Sequence, residues 1–201
     1  MTSSQSLSHS INHLKLWINM SSKKTKKKND SLNNGAEVKF LDNTAISNYV
    51  LGDSIMENAV KPIKEILKKE KCKETHNFSY EQALDLDQVE IENRRGTSDR
   101  ENTVDFVVGL ENKQLLLVEA KFEVKNVANI VTDFVDKLSH SKRLLNDNIN
   151  IRSIYKKEII LLSQQSFQQN YNRLRTMLAS KSRTTEPQTV SVFYDTFFKR
   201  Y

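Results

Sequence analysis

The 201-residue chain is predicted to fold as an α/β domain, a mixed central β-sheet flanked by helices. Three observations predict this. Two aliphatic and β-branched runs, 103–110 (TVDFVVGL) and 114–122 (QLLLVEAKF), are separated only by Glu111, Asn112 and Lys113, the spacing of a tight hairpin. Directly after them Val127, Ile130, Val131, Phe134, Val135, Leu138 and Leu145 recur at helical spacing, an amphipathic helix running to about residue 146. The apolar run at 158–163 (EIILLS) then reads as a buried strand.

The other elements follow in chain order. Residues 1–40 are rich in Ser, Asn and Lys and are expected to be a basic, largely flexible tail; their one apolar pattern, Leu7, Ile11, Leu14 and Ile18 beside Trp17, has helical spacing. The folded domain is expected over 41–201. Ile46, Tyr49 and Val50, then Ile55, Met56, Ala59, Val60, Ile63, Ile66 and Leu67, predict helix from about 44 to 71. Gly52 breaks it, Asp53 or Ser54 caps the restart, and Pro62 kinks or divides the second part. Residues 72–86 look irregular and 88–94 alternates weakly, as a strand. Past 163, Phe167, Tyr171, Leu174 and Leu178 mark a helix, and 189–194 reads as a last strand. The predicted order is an αβββαβ core with a C-terminal helix and strand.

Composition excludes several function classes. No apolar run approaches the roughly 18 residues of a membrane-spanning helix. The single Cys72 rules out an internal disulfide and any Cys-based metal cluster, and it suits a reducing compartment, so an intracellular, cytoplasmic location is expected. Lys23, Lys24, Lys26, Lys27 and Lys28 would serve as a nuclear address in a eukaryotic cell, or more simply as a solvated charge run. The net charge of +6 conceals three segments: seven basic against two acidic groups in 1–40, twelve against 17 in 41–126, and twelve against six in 127–201. The acidic middle gathers carboxylates between two basic ends.

Register brings two of those carboxylates together. With a three-residue loop, opposed hairpin residues have numbers adding to 224, which sets Asp105 opposite Glu119, and Lys121 on the same face two residues on. Like charges opposed among apolar neighbours destabilise a sheet unless something compensates them. A hard divalent cation, Mg²⁺ or Mn²⁺, does so, with the Ala120 carbonyl and waters completing its oxygen shell. Such an ion polarises a phosphoryl oxygen and acidifies a bound water, while Lys121 holds that water or offsets charge in the transition state.

At these residues the sequence resembles the PD-(D/E)XK, or restriction-endonuclease-like, nuclease superfamily. Val104-Asp105 and Glu119-Ala120-Lys121 match its Asp and Glu/Asp-X-Lys elements, and the order helix, three strands, helix, strand matches over about 44–163. Val104 stands where the signature has Pro. The Gln-X-X-X-Tyr element of one branch is absent, since none of Gln164, Gln165, Gln168 and Gln169 lies four residues before Tyr171. The resemblance implies a metal-dependent nuclease that hydrolyses phosphodiester bonds, an endonuclease on DNA. Asp105, Glu119 and the Ala120 carbonyl would bind the metal, Lys121 would be the catalytic lysine, and Glu57 an auxiliary carboxylate from the first helix. The resemblance also implies homodimerisation if both strands are cut.

Each assignment has a plainer reading. Glu57 also fits a capping box with Ser54, and Lys121 also fits a simple salt bridge with Glu119 or Glu123. Arg94 and Arg95, and Arg173 and Arg175 in the basic C-terminal third, are candidates for phosphate contacts or ordinary solvated positions. His76 and His140 look isolated and without chemistry. The alternative to an enzyme is a catalytically inactive nuclease-fold module that binds nucleic acid or a protein partner.

Overall fold

The hairpin forms in the expected register. Strands β3 (Phe106–Gly109) and β4 (Leu115–Lys121) run antiparallel, with Phe106 opposite Val118 and Val108 opposite Leu116. The turn fixes this: Leu110 N–H donates to the Gln114 carbonyl at 2.9 Å, and Lys113 adopts φ 60°, the left-handed residue that ends a three-residue hairpin loop. The protein is described by a computed structural model over residues 39–40, 43–75, 77–94, 100–149, 153–182 and 184–199. The N-terminal apolar pattern, the lysine run, His76, Arg95 and Arg183 lie outside the described residues.

Helices α1 (Asn43–Val50) and α2 (Ser54–Asn58) precede a short strand β1 (Val60–Pro62) and helix α3 (Ile63–Lys69). The break between α1 and α2 falls where expected, with Gly52 at φ 91°, a conformation that costs glycine little. Asp53 rather than Ser54 is the cap, its carboxylate accepting from Ile55 and Met56 N–H at 3.0 and 3.1 Å. The division expected at Pro62 occurs, but the residues just before the helix form a strand and not helix. A residue before proline is pushed toward extended backbone, and Pro62 itself, at ψ 131°, opens α3.

Two further expectations are corrected. The strand expected at 88–94 is helix α4 (Leu86–Asn93), and the strand lies upstream as β2 (Gln82–Asp85), in a stretch that had looked irregular. Asp85 ends β2 and caps α4, accepting from Gln88 N–H at 3.0 Å, while Leu86, Val89 and Glu90 bury one helical face. The strand expected at 189–194 is helix α7 (Val190–Phe197), preceded by β6 (Thr185–Thr189). Thr189 caps α7 through Val192 N–H, and Val190, Phe193 and Phe197 pack inward at helical spacing. Between these regions lie α5 (Val127–Ile149), β5 (Glu158–Leu162) and α6 (Gln164–Lys181), close to their predicted limits.

The six strands form one mixed sheet in the order β1-β2-β3-β4-β5-β6, antiparallel from β1 to β4 and parallel from β4 to β6. Its two faces carry separate cores, as the period of two requires. Val107, Leu115 and Leu117 pack with Val131, Phe134 and Leu138 of α5 and Leu174 of α6. Phe106, Leu116, Val118 and Ala120 pack on the other face with Ile63 and Leu67 of α3 and Phe193 of α7. By this parity Glu119 and Lys121 project toward α5. No described helix is long and apolar enough to cross a membrane.

Candidate functional site

Asp105 stands just before β3 and Glu119 near the end of β4, 4% and 0% exposed respectively. The β3–β4 ladder, continued one step past Phe106 and Val118, sets them side by side. The Ala120 N–H donates to Asp105 Oδ2 at 2.5 Å, so the strand that carries Glu119 also holds its neighbour. Lys121 Nζ lies 2.6 Å from Glu119 Oε1, as the shared face predicts. That ion pair is also the plainer reading of Lys121.

Glu119 Oε1 has a second cation: Lys137 Nζ of α5 lies 2.8 Å away, and 3.8 Å from Asp105 Oδ1. The other oxygen, Oε2, is buried with no hydrogen-bond partner. Leaving a buried carboxylate oxygen unpaired forfeits hydration without replacement, at a cost of about 1–3 kcal/mol. Burial, and next the Glu119 charge, push the Asp105 carboxyl up to about 8, against the opposing pull of Lys137, Lys121 and the Ala120 N–H. Lys121 is shifted up: burial opposes its charge, but Glu119, Asp105 and Glu70 together outweigh that.

Two carboxylates that the sequence did not single out join this site. Glu70, which follows α3, and Asp87 in α4 each bring an oxygen into a group with one of Asp105, all within 4.8 Å of one another. Burial raises the Glu70 carboxyl, opposed by Lys121 and Lys69. Asp87 accepts from the Thr103 hydroxyl at 2.8 Å, and Lys69 reaches both Asp87 and Asp85, at 3.4 and 3.7 Å. Counted as ionised groups, the five carboxylates Glu70, Asp85, Asp87, Asp105 and Glu119 face three ammonium groups, Lys69, Lys121 and Lys137. A cleft of about 190 Å³, lined by Glu70, Ala120, Lys121 and Glu123 among others, opens beside these groups.

Glu57 is not among the converging carboxylates. It is exposed, and its Oε1 accepts from Gly52 N–H at 2.8 Å, which closes the turn between α1 and α2. The carboxylates that do lie beside Asp105 come from other elements, Glu70 and Asp87. Arg94, at the end of α4, lies 3.5 Å from Glu90 and belongs to a different cluster. There His140 is buried, with Nε2 3.2 Å from Glu90 and Nδ1 2.8 Å from Glu101, so it is not the isolated residue expected. Arg173 and Arg175 lie exposed on α6, and Arg175 lines a groove of about 580 Å³ along α6 and β6 with Phe167, Tyr171 and Gln188.

The sequence did hold a signal for Lys137. On α5 it follows Phe134 by three residues and precedes Leu138 and Ser141 on the inward stripe, where a lysine is out of place unless it meets a charge. Glu70 and Asp87 carried no such signal, because only the packing of α3 and α4 beside the hairpin brings them near Asp105. Comparisons with family models, curated proteins and solved structures find no match to this chain.

Proposed function

We propose that this protein is a divalent-metal-dependent nuclease that hydrolyses phosphodiester bonds, with DNA endonuclease action as the favoured form. The observation that carries the reading is the Asp105–Glu119 pair: two buried carboxylates side by side, one oxygen unpartnered, and a lysine on the same strand face. The PD-(D/E)XK-like elements supply Asp105, Glu119 and Lys121. The strand order supports the same reading, with an antiparallel meander β2-β3-β4 and a helix α5 leading to the parallel β5.

The donor set fits Mg²⁺ or Mn²⁺. It is all oxygen: Asp105 converges with Glu70 and Asp87, and Glu119 and the Ala120 carbonyl are the further donors expected from the resemblance. When bound, such an ion supplies Lewis-acid polarisation of the phosphoryl oxygen and a more acidic water. The chain's own groups do the rest. Asp105 and Glu119 would hold the ion against the hairpin, whose register sets the two carboxyls side by side. Lys121, held by Glu119 beside the cleft, orients the attacking water and offsets negative charge that builds on the phosphate oxygens. Arg173 and Arg175, exposed on α6, would add nonspecific phosphate contacts if the nucleic acid extends over that helix.

The test is cleavage of plasmid, linear, single-stranded and RNA substrates with and without Mg²⁺ or Mn²⁺. Metal-dependent products that vanish in Asp105→Ala and Lys121→Ala support the mechanism. Cleavage by both variants at the parent's rate would rule it out, and metal-independent binding with steep salt dependence and no cleavage would favour an inactive binding module.

A further inference from the structure

Lys137 of α5 has no role in the chemistry so far, yet its Nζ reaches both carboxyls, 2.8 Å from Glu119 and 3.8 Å from Asp105. Its stem rises from the buried stripe of the helix, and its side chain is only 14% exposed. Two ammonium groups, Lys121 at 2.6 Å and Lys137 at 2.8 Å, crowd the same oxygen of Glu119 while the other oxygen has none. One lysine would neutralise that oxygen; the second also spans to Asp105 at 3.8 Å. An ammonium that bridges two carboxylates occupies the electrostatic role that a bridging cation would otherwise fill. Lysine suits such exchange, being a compact point charge on a long flexible stem.

We propose that Lys137 is the internal counter-ion of Asp105 and Glu119, which yields these carboxylates to a divalent cation and then offers its ammonium to the substrate phosphate. This rests on the nuclease reading above. Before metal arrives, Lys137 spans the Glu119 and Asp105 carboxyls; afterwards, their charge is met by the ion and the ammonium is released toward an anionic strand. Lys121 cannot do both, since it projects from β4 itself and remains on Glu119.

Calorimetric titration of the full chain with Mn²⁺ alone, beside steady-state cleavage, separates this role from a merely structural salt bridge. Lys137→Met should bind Mn²⁺ about tenfold more tightly, because no ammonium competes for the carboxylates. The same variant should raise KM for DNA severalfold with a smaller change in kcat, and Lys137→Arg, which keeps a cation, should recover most of the KM. A structural salt bridge predicts the opposite sign: weaker Mn²⁺ binding as the carboxylates splay. Equal or weaker Mn²⁺ binding by Lys137→Met, with KM unchanged, overturns the proposal while leaving the nuclease reading intact. Should Lys137→Met fail to fold, Lys137→Gln and Lys137→Arg carry the same comparison, and Mn²⁺ affinity that does not rise in the neutral variant relative to arginine also overturns it. A parent chain that takes up no Mn²⁺ defeats the metal reading itself, and this inference with it.

Discussion

Two charged clusters lie one helical turn apart on α5, and they differ in one respect. Around His140, every buried acceptor is met: Glu90 takes Glu101 N–H at 3.1 Å and Arg94 on one oxygen and His140 at 3.2 Å on the other, while Arg143 lies 2.8 Å from the second ring nitrogen. Around Lys137, two cations share one oxygen of Glu119 and the other oxygen has no partner. Burial and charge are common to both. The first cluster is closed and ties α4, α5 and residue 101 together; the second leaves a buried carboxylate oxygen unmet. The lesson is that a buried ion network by itself indicates packing, and that the leftover valence is what points to a ligand.

Breaking the open cluster should produce the largest effects. Removing Asp105 or Glu119 as alanine should cut metal-dependent cleavage to background, and Lys121→Ala should reduce kcat by about 10²–10³-fold, measured under saturating substrate. Asp105→Asn should abolish cleavage too, yet without metal its melting temperature should equal or exceed the parent's, since it removes the repulsion with Glu119. A metal-free Asp105→Asn that melts well below the parent would mean the pair is stabilising after all.

The closed cluster should respond in the opposite sense. His140→Leu leaves a Glu90 oxygen buried without its partner and should cost about 1–3 kcal/mol in denaturant unfolding, with Mn²⁺ affinity unchanged among folded molecules. A loss of metal binding as large as the loss of stability would erase the distinction between the two clusters.

The pH dependence sharpens the contrast further. In the metal-free chain the Asp105 carboxyl sits at about 8, well above the roughly 3.9 of an unfolded aspartate. A raised folded value means that this group's contribution to stability is complete below about pH 4 and is lost as pH rises through about 8. Unfolding of the parent relative to Asp105→Asn should therefore show a difference that drifts in favour of the variant across that range. A flat difference would contradict the geometry of the pair. The smallest effects belong to the exposed arginines: Arg173→Ala and Arg175→Ala should each lower the salt slope of DNA binding by about one, with little sequence dependence.

What the sequence made legible was local or periodic. A three-residue turn and a period of two sufficed for the pairing of Val107 with Leu117, and hence for Asp105 beside Glu119. Helix α7 was missed because VSVFY has strand composition while Val190, Phe193 and Phe197 pack at helical spacing; the wrong period won. The β2–α4 boundary was missed because a single residue, Asp85, both ends the strand and caps the helix. Glu57 was chosen as the auxiliary carboxylate on family expectation and order along the chain, whereas Glu70 and Asp87 reach Asp105 only through the packing of separate elements.

One contact beside the site constrains which sequences can build it. Val104 is fully buried and its N–H donates to Ser141 Oγ of α5 at 2.9 Å. Proline, the residue of the signature at this position, has no N–H to place, so it would need no hydroxyl on the helix. Every residue but proline would keep this N–H at position 104, so the contact to Ser141 selects against proline here and not for valine.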